Sequence, residues 1–287
     1  MRDSLFGPDS ITWRVNQEPV LLLGGGRALL MQLAHPGVAA GVAEHSDFRQ
    51  RPLQRLVRTL ELTLALTFGD RAEALAAARQ INVVHRQVRG DGYSALDPRL
   101  LLWVQATLID SALATYGAFV RPLPERELDA YYQEAKLMGG LLGLGRASYP
   151  PAYADFEAYV VRMLAGDELV VDARALQLAD SVLRPPLRGV PRAAYGPLAA
   201  VTAGLLPQRL RQAYGLRWGT LERAMFGAAR RGLPALVAAL PQRLRQVPPA
   251  RRASLGRPGG PAAGERAARA SRSRTLWDRV DRRDPGD

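Results

Sequence analysis

Apolar residues recur every three or four positions along most of this chain, which is the spacing of one face of an α-helix. The clearest stripe predicts a helix over residues 52–68, and it consists of Leu53, Leu56, Leu60 and Leu64. Similar stripes, bounded by glycine and proline, predict helices over about 27–34, 70–90, 98–119, 124–140, 152–165, 172–183, 192–206, 217–231 and 234–246. No stretch alternates apolar and polar residues over the length of a strand. The chain is therefore predicted to be all-α, a single large helical bundle of roughly eight to ten helices.

Capping residues indicate where two of these helices begin. Asp70 followed by Glu73 has the spacing of a capping box, and Asp97-Pro98 places an N-cap before a proline at the first helical position. His35 precedes Pro36, and a residue before proline is disfavoured in helix. A break in the chain direction is therefore predicted at His35.

The composition changes at Pro248, after which proline, glycine, alanine, serine and arginine dominate. Such a segment contains too little apolar surface to form a core. We therefore predict one all-helical domain over residues 1–247 and a disordered basic tail over 248–287. The tail has one notable apolar pair, Leu276-Trp277, which either belongs to a loose terminus or forms a short docking helix.

The chain has no cysteine and three histidines, His35, His45 and His85. The lack of cysteine excludes disulfides, iron–sulfur clusters, thiolate nucleophiles and thiolate-bound metals. The histidines lack the His-Glu-x-x-His spacing of zinc proteases, and a three-histidine zinc site would need all of them. A haem or transition-metal site must therefore use very few nitrogen ligands.

The formal charge of +12 could suggest nucleic acid or an anionic membrane as a partner. However, Lys136 is the only lysine, part of the basic excess lies in the tail after Pro248, and the remaining arginines are spread along helices among acidic residues. We therefore do not expect nucleic-acid binding as the main function. The N-terminus lacks the apolar segment of a secretory signal, and no apolar run is long enough to span a bilayer. These features predict a cytoplasmic protein, with peripheral membrane contact left open.

His85 has the most informative position among the candidate residues. It shares one helix face with Ala74, Ala78, Ile81 and Val88, which are apolar. One interpretation is a core histidine that makes a hydrogen bond. The other is an imidazole directed into an apolar cavity, as the proximal ligand of a haem iron must be.

The helix over residues 52–68 carries polar side chains near its start. Arg51, Arg55, Arg58 and Glu61 follow helical spacing, with Thr59 beside them. This pattern is typical of a solvated face with ion pairs. Alternatively, Arg58 and Thr59 turn toward a pocket, where a guanidinium and a hydroxyl could contact haem carboxylates or dioxygen.

A second polar group, residues 44–47, precedes that helix. One interpretation is a capping turn for the next helix. In the other, Glu44 is an acid/base group at the mouth of a pocket. Ser46 lacks the strand–turn–helix setting of a hydrolase nucleophile.

Gln105 falls within the apolar stripe of the helix over 98–119. A buried amide without a partner costs about 1–3 kcal/mol, so this position implies a pocket, a water or a ligand.

Two glycine clusters have structural explanations. Residues 24–26 match no phosphate-binding pattern, so they indicate close helix packing or a turn. The glycine-rich segment 139–145 either lets a flat ligand approach the backbone closely or forms a loop.

Taken in order, these segments resemble the MpaB-type oxygenase family, which includes the latex-clearing rubber oxygenases. The resemblance covers about residues 10–225. The matching segments are 21–30 (LLLGGGRALL), 33–36 (LAHP), 44–48 (EHSDF), 55–59 (RLVRT), 68–69 (FG), 84–90 (VHRQVRG) and 93–104 (YSALDPRLLLWV).

This resemblance implies an all-helical protein that binds haem b, uses dioxygen and acts on a hydrophobic small molecule or polymer. Oxidative cleavage of a carbon–carbon double bond in a terpenoid or isoprenoid-like substrate is the implied reaction. By resemblance, His85 matches the proximal iron ligand, and Arg55, Arg58 and Thr59 match a polar cluster near the haem. Glu44 matches a glutamate that acts as a base, and Gln105 lies at a further cofactor-contacting position.

Two positions depart from the family pattern. The rubber oxygenases carry lysine where this chain has Arg58, and a guanidinium stays protonated and cannot ligate iron. Relatives often carry histidine where Gln105 stands, so haem would be lost if that histidine were the true ligand. Two rival hypotheses therefore remain: a non-catalytic haem- or lipid-binding helical protein, and a basic helical protein that binds nucleic acid or a membrane surface.

Overall fold

The fold was determined as a computed structural model that describes residues 4–45, 52–185 and 189–255. Side chains are described over the same ranges except at residues 52–57, 193, 242, 254 and 255. The described helices are α1 (Ile11–Asn16), α2 (Gly25–Leu33), α3 (Pro36–His45), α4 (Pro52–Phe68), α5 (Arg71–Gln87), α6 (Pro98–Phe119), α7 (Glu125–Leu141), α8 (Tyr153–Ala165), α9 (Ala173–Leu183), α10 (Gly196–Leu205), α11 (Gln208–Ala213), α12 (Thr220–Ala239) and α13 (Pro248–Leu255). Short 3₁₀ segments in the same ranges, Pro19–Gly24, Arg146–Ser148, Arg192–Tyr195 and Gln242–Leu244, connect some of them.

The all-α prediction is confirmed, although the described residues form more helices than predicted. The periodicity placed α4 and α6 at their observed bounds. Three short helices, α1, α11 and α13, were missed because eight residues or fewer carry little periodic signal. The other missed helix is α3, whose sequence is rich in alanine and glycine and shows no clear apolar stripe.

A short antiparallel hairpin lies between α5 and α6, formed by the two-residue strands β1 (Arg89–Gly90) and β2 (Tyr93–Ser94). Gly92 has a φ of +74° in the hairpin turn, a conformation that favours glycine. The hairpin packs against α3. It reverses the chain direction directly after the helix that carries His85.

Helix α6 lies at the centre of the fold and contacts α2, α7, α12 and the 3₁₀ segment at Pro19–Gly24. Its long apolar surface includes fully buried Trp103, Ile109 and Phe119. The indole Nε1 of Trp103 donates a hydrogen bond to the carbonyl of Met31 over 3.2 Å. Burial of such aromatic side chains is the main stabilising contribution in a core of this kind.

The glycines at 24–26 allow close packing of helices, as predicted. A Cβ on Gly24 would lie 2.2 Å from Oγ1 of Thr115 on α6, and a Cβ on Gly26 would lie 2.6 Å from Oγ1 of Thr202 on α10. The N-cap Gly24 and the first turn of α2 therefore approach two neighbouring helices at distances that only glycine permits. A Cβ on Gly25, in contrast, would have no neighbouring atom within 4 Å.

Helix α7 ends in a glycine cap. Gly143 has a φ of +94°, and the amide of Leu144 donates back to the carbonyl of Gly139 over 3.0 Å. This pattern is typical of a Schellman motif. Of the two interpretations of residues 139–145, the structure therefore supports a helix end followed by a loop.

Two boundaries differ from the predicted ones. Helix α12 continues through Pro234, where the sequence suggested one helix ending and another beginning. Helix α13 covers the first eight residues of the predicted tail, and its Ala250 is fully buried. The rest of the predicted tail, including Leu276-Trp277, lies outside the described residues. Within the described ranges, every helix is too short or too polar to cross a membrane.

Candidate functional site

His85 lies in the last turn of α5 and is half-buried. Its Nδ1 atom is buried and has no hydrogen-bond partner among the described residues. Burial lowers the pKa of His85 below the ordinary value of 6.5. The imidazole is therefore held in its neutral form near pH 7, which is the form that binds a metal.

The other two histidines make structural hydrogen bonds. His35 lies between α2 and α3, as the break predicted at this residue requires, and its Nδ1 accepts from the amide of Gly37 over 3.2 Å. The Nε2 of His45 lies 3.0 Å from the carbonyl oxygen of Arg89 in the hairpin. The ring of His35 thus caps the start of α3 and that of His45 connects α3 to the hairpin, whereas the Nδ1 of His85 contacts none of the described polar groups.

Asn82 lies one helical turn before His85 and was not predicted from the sequence. Its Nδ2 donates to the carbonyl of Leu141, the last residue of α7, over 3.0 Å, and its Oδ1 is buried without a partner among the described residues. Buried polar atoms are nearly always hydrogen-bonded, so two polar atoms without a described partner on one side of α5 point to a bound group as their partner. The sequence feature from which Asn82 could have been identified is a short amide side chain one turn from a histidine on an apolar helix face.

Arg55, Arg58 and Thr59 lie on the helix that packs against α5. The two helices form an antiparallel hairpin joined at Asp70, whose carboxylate and Glu73 complete the predicted capping box. Arg58 and Asn82 are each twelve residues from Asp70, so both lie about 18 Å from the turn.

The same argument places Arg55 at the level of His85, because each is fifteen residues from Asp70. The side chain of Arg55 lies outside the described residues, whereas those of Arg58 and Thr59 are exposed. The backbone of α4 thus places these three positions in the half of the hairpin that carries His85, and the exposure of Arg58 and Thr59 is what the interpretation as a solvated face predicts. Their contact with a cofactor stays a prediction.

Glu44 lies at the end of α3, and both of its carboxylate oxygens have partners. Oε2 accepts from the hydroxyl of Tyr93 over 2.6 Å, and Oε1 lies 3.2 Å from a guanidinium nitrogen of Arg174 on α9. Burial and the contact with Glu44 raise the pKa of Tyr93 to about 12, so its hydroxyl remains a donor. Glu44 thus connects α3, β2 and α9, and its predicted acid/base role stays a prediction.

Gln105 is buried on α6, as the apolar stripe indicated, and its amide has a partner in the protein. Its Nε2 donates to the carbonyl of Ala135 on α7 over 3.3 Å. A Cβ on Gly139 would lie 1.7 Å from the hydroxyl oxygen of Tyr149 and 3.5 Å from Cγ of Gln105. Tyr149 thus fills the space beside Gly139 that a flat ligand would need, and the contact of Gln105 with a cofactor stays a prediction.

The exposed residues around the end of α5 are of mixed character. Val83 and Val84 are 46% and 48% exposed among the described residues, and Arg86 is exposed as well. Because residues one or two positions apart on a helix point in different directions, the valines do not flank the imidazole. The fit to a cofactor therefore depends on the imidazole alone: a neutral ring whose Nδ1 has no partner among the described residues suits a haem iron, which takes one imidazole from the protein.

Comparison with known proteins gives the same family as the motifs. Residues 12–238 match the model of the family described as ER-bound oxygenase mpaB/B'/rubber oxygenase, catalytic domain. The chain is also 31% identical over 217 residues to an uncharacterised protein of Mycobacterium bovis and to one of Mycobacterium tuberculosis. Each alignment covers 69% of this chain and 81% of the relative. The comparison with solved structures gave no match.

Proposed function

Because the chain belongs to the MpaB/rubber oxygenase catalytic-domain family, we propose that it is a haem b-dependent oxygenase. Its co-substrate would be dioxygen, and its substrate a hydrophobic, unsaturated molecule of the terpenoid or isoprenoid class. Oxidative cleavage of a carbon–carbon double bond is the proposed reaction.

The observation that carries this proposal is that the Nδ1 of His85 is buried and has no hydrogen-bond partner in the described part of the chain, on a ring that burial keeps neutral. A histidine that only supported the core would make a hydrogen bond to a neighbouring element, as His35 and His45 do. A metal-binding histidine uses one ring nitrogen for the metal, and the partner of the other sets its orientation. Asn82 lies one turn away, and its Oδ1, which has no partner within the described ranges, is a candidate to position the bound group.

Each further residue has a role that its chemistry allows. The backbone positions of Arg55 and Arg58 lie at the level of His85 and Asn82 along the neighbouring helix, and we assign the binding of the haem carboxylates to these two residues because guanidinium groups bind carboxylates. The hydroxyl of Thr59 would donate a hydrogen bond beside them. When bound, haem supplies the redox-active iron that dioxygen chemistry requires.

Glu44 would hold or accept a proton at its carboxylate, beside the hairpin that follows α5. Gln105 would contact the cofactor through its side-chain carbonyl oxygen, since its amide nitrogen already donates to the backbone carbonyl of Ala135. The exposed Val83 and Val84 on α5 would contact the apolar substrate.

The experiment that tests this proposal is an absorption spectrum of the purified full-length chain, expressed with a haem precursor. We expect a Soret band that is lost in His85→Ala and retained in His45→Ala. The control removes a histidine of the same chain whose ring nitrogen bonds to a backbone carbonyl. A colourless wild-type protein that does not take up added haemin would contradict the proposal.

Catalysis requires a second measurement. We expect the haem-loaded chain to consume dioxygen in the presence of an unsaturated isoprenoid such as squalene, and not with its saturated analogue squalane. Haem binding without oxygen uptake on unsaturated hydrocarbons would instead support the alternative, a non-catalytic haem- or lipid-binding protein.

A further inference from the structure

A strap at the end of the described chain joins the start of the fold to α4. This strap consists of residues 245–255 and includes α13. The amide of Val247 donates to the carbonyl of Gln17 over 2.8 Å, and the Nε2 of Gln246 donates to Oε1 of the same glutamine over 3.1 Å. Val247 and Ala250 are buried. The strap therefore begins beside the residue that follows α1 and continues as a helix that packs on α4.

The helix under the strap belongs to the hairpin that carries His85. Helix α5 packs most extensively on α4, and among the described elements the other main neighbours of α4 are α1 and α13. The ring of Trp13 on α1 packs edge-on against Phe68, near the turn of the α4–α5 hairpin, with 4.9 Å between the ring centroids. Helices α1 and α13 thus form the seat of the hairpin, and the contacts between the strap and Gln17 join the two halves of this seat.

The ion pair at this junction makes only half of its possible contact. Nη2 of Arg245 donates to Oε1 of Glu18 over 2.9 Å, and the side chain of Glu18 is only 5% exposed. The Oε2 of Glu18 and the Nε of Arg245 are both buried, and neither has a hydrogen-bond partner in the described ranges. These are the two atoms that form the second bond when a guanidinium and a carboxylate meet side-on. A buried ion pair stabilises a fold only where its hydrogen bonds are complete, so this pair is balanced between opening and closing.

We propose that Glu18 and Arg245 form a latch that switches the α4–α5 hairpin between a held and a released position. When both hydrogen bonds of the latch are made, α13 is seated on α4 and the hairpin is held against the rest of the fold. When the latch opens, α13 lifts from α4, and the hairpin moves to admit or release a cofactor at His85. The movement of the hairpin is independent of any cofactor, whereas its use for cofactor entry rests on the proposed function.

Hydrogen–deuterium exchange of the full-length chain without haem tests the latch. Arg245→Lys keeps the charge but cannot form the two-bond contact. We expect it to speed exchange in residues 52–87 about fivefold or more and to leave exchange in α6 unchanged. The matched control is Arg251→Lys, the same change at an exposed arginine of α13, and it should exchange like the wild type.

A second variant separates the latch from the cost of an unpaired buried charge. Glu18→Gln with Arg245→Gln removes both charges together, so no buried charge is left without its partner. We expect this variant to unfold thermally close to the wild type and to show the same faster exchange in residues 52–87. In both latch variants, the haem-free chain should take up added haemin about fivefold faster or more, because the hairpin is released more often.

Three outcomes would overturn the proposal. The first is exchange in residues 52–87 that neither latch variant changes. The second is an equal rise in α6 and in residues 52–87, which would make the ion pair a general stabiliser of the fold. The third is faster exchange of the hairpin without faster uptake in a protein that binds haemin, which would separate the latch from cofactor entry. A chain that binds no haemin contradicts the proposed function alone, because the exchange measurement needs no cofactor.

Discussion

The guanidinium of Arg27 on α2 donates to Oδ2 of Asp110 on α6 over 2.6 Å, and its side chain is only 7% exposed. The same group donates to Oγ of Ser111 over 2.8 Å and to the carbonyl of Leu205 over 2.8 Å. One buried cation thus joins α2, α6 and the end of α10. In the sequence, Arg27 looks like an ordinary helix residue after three glycines.

We therefore expect Arg27→Met to lower the free energy of unfolding by about 3–5 kcal/mol, because it leaves the carboxylate of Asp110 without its cation in a partly buried place. Urea denaturation measures this change. The control is Arg99→Met, since Arg99 pairs with Asp97 but is 91% exposed, and its loss should leave the free energy of unfolding nearly unchanged. Equal effects of the two substitutions would show that burial does not set the contribution of Arg27.

The packing of α2 predicts different effects for neighbouring glycines. Gly24→Ala would place a methyl group 2.2 Å from Oγ1 of Thr115, so it should destabilise the protein by about 1–3 kcal/mol. Gly25→Ala meets no atom within 4 Å and removes a helix-unfavourable glycine, so it should be neutral or stabilise by up to about 1 kcal/mol. Thermal unfolding of both variants checks the difference, and a stable Gly24→Ala protein would mean that α2 and α6 can move apart.

Lys136 predicts a pH dependence of stability. The amine donates to the carbonyl of Pro151 over 2.7 Å and lies 4.3 Å from the ring centroid of Tyr132, and burial lowers its pKa to about 8. Lysine in the unfolded chain has its ordinary pKa of 10.5, so between these pH values the unfolded chain binds more protons. The free energy of unfolding should therefore rise between pH 8 and 10.5, by at most about 1.4 kcal/mol per pH unit from this group and by less where solvent screens the amine.

The control for this prediction is Lys136→Met, measured by denaturation at several pH values in the same range. The variant should lack the contribution that rises between pH 8 and 10.5, while other groups contribute equally to both proteins. Identical pH profiles for the two proteins would show that the amine titrates normally in the fold.

Glu44 can be tested apart from its structural contacts. We expect Glu44→Gln to lower the rate of oxygen consumption at least tenfold, because an amide cannot accept a proton, while the haem spectrum is unchanged. The control is Tyr93→Phe, which removes the hydrogen bond over 2.6 Å but keeps the carboxylate. If both variants lose activity to the same extent, or Glu44→Gln retains it, the carboxylate has only a structural role.

Asn82 offers a test of the site that does not depend on turnover. Asn82→Leu removes the Oδ1 atom that none of the described groups pairs with, and we expect haem affinity to fall about tenfold in a titration monitored at the Soret band. The matched control is Gln80→Leu, a change to an exposed amide on the same helix. Unchanged affinity in Asn82→Leu would place the bound group away from this turn.

The sequence by itself determined the helical class, the positions of the long helices and the family. Periodicity is a local property, so Leu53 to Leu64 predict α4 correctly without knowledge of its neighbours. The capping residues Asp70 and Asp97 act on the next few residues and were equally readable. The ordered motifs around His85 are long enough to identify the family, which the comparison confirmed.

Only the tertiary structure decided what the polar side chains contact. Glu44 and Tyr93 are 49 residues apart in sequence, and Arg27 and Asp110 are 83 residues apart. No local sequence pattern predicts either pair. The same holds for Gln105, whose partner belongs to another helix, and for the unpaired atoms of Asn82 and His85. Burial and hydrogen bonding between helices depend on how helices pack, and packing is a property of the whole chain.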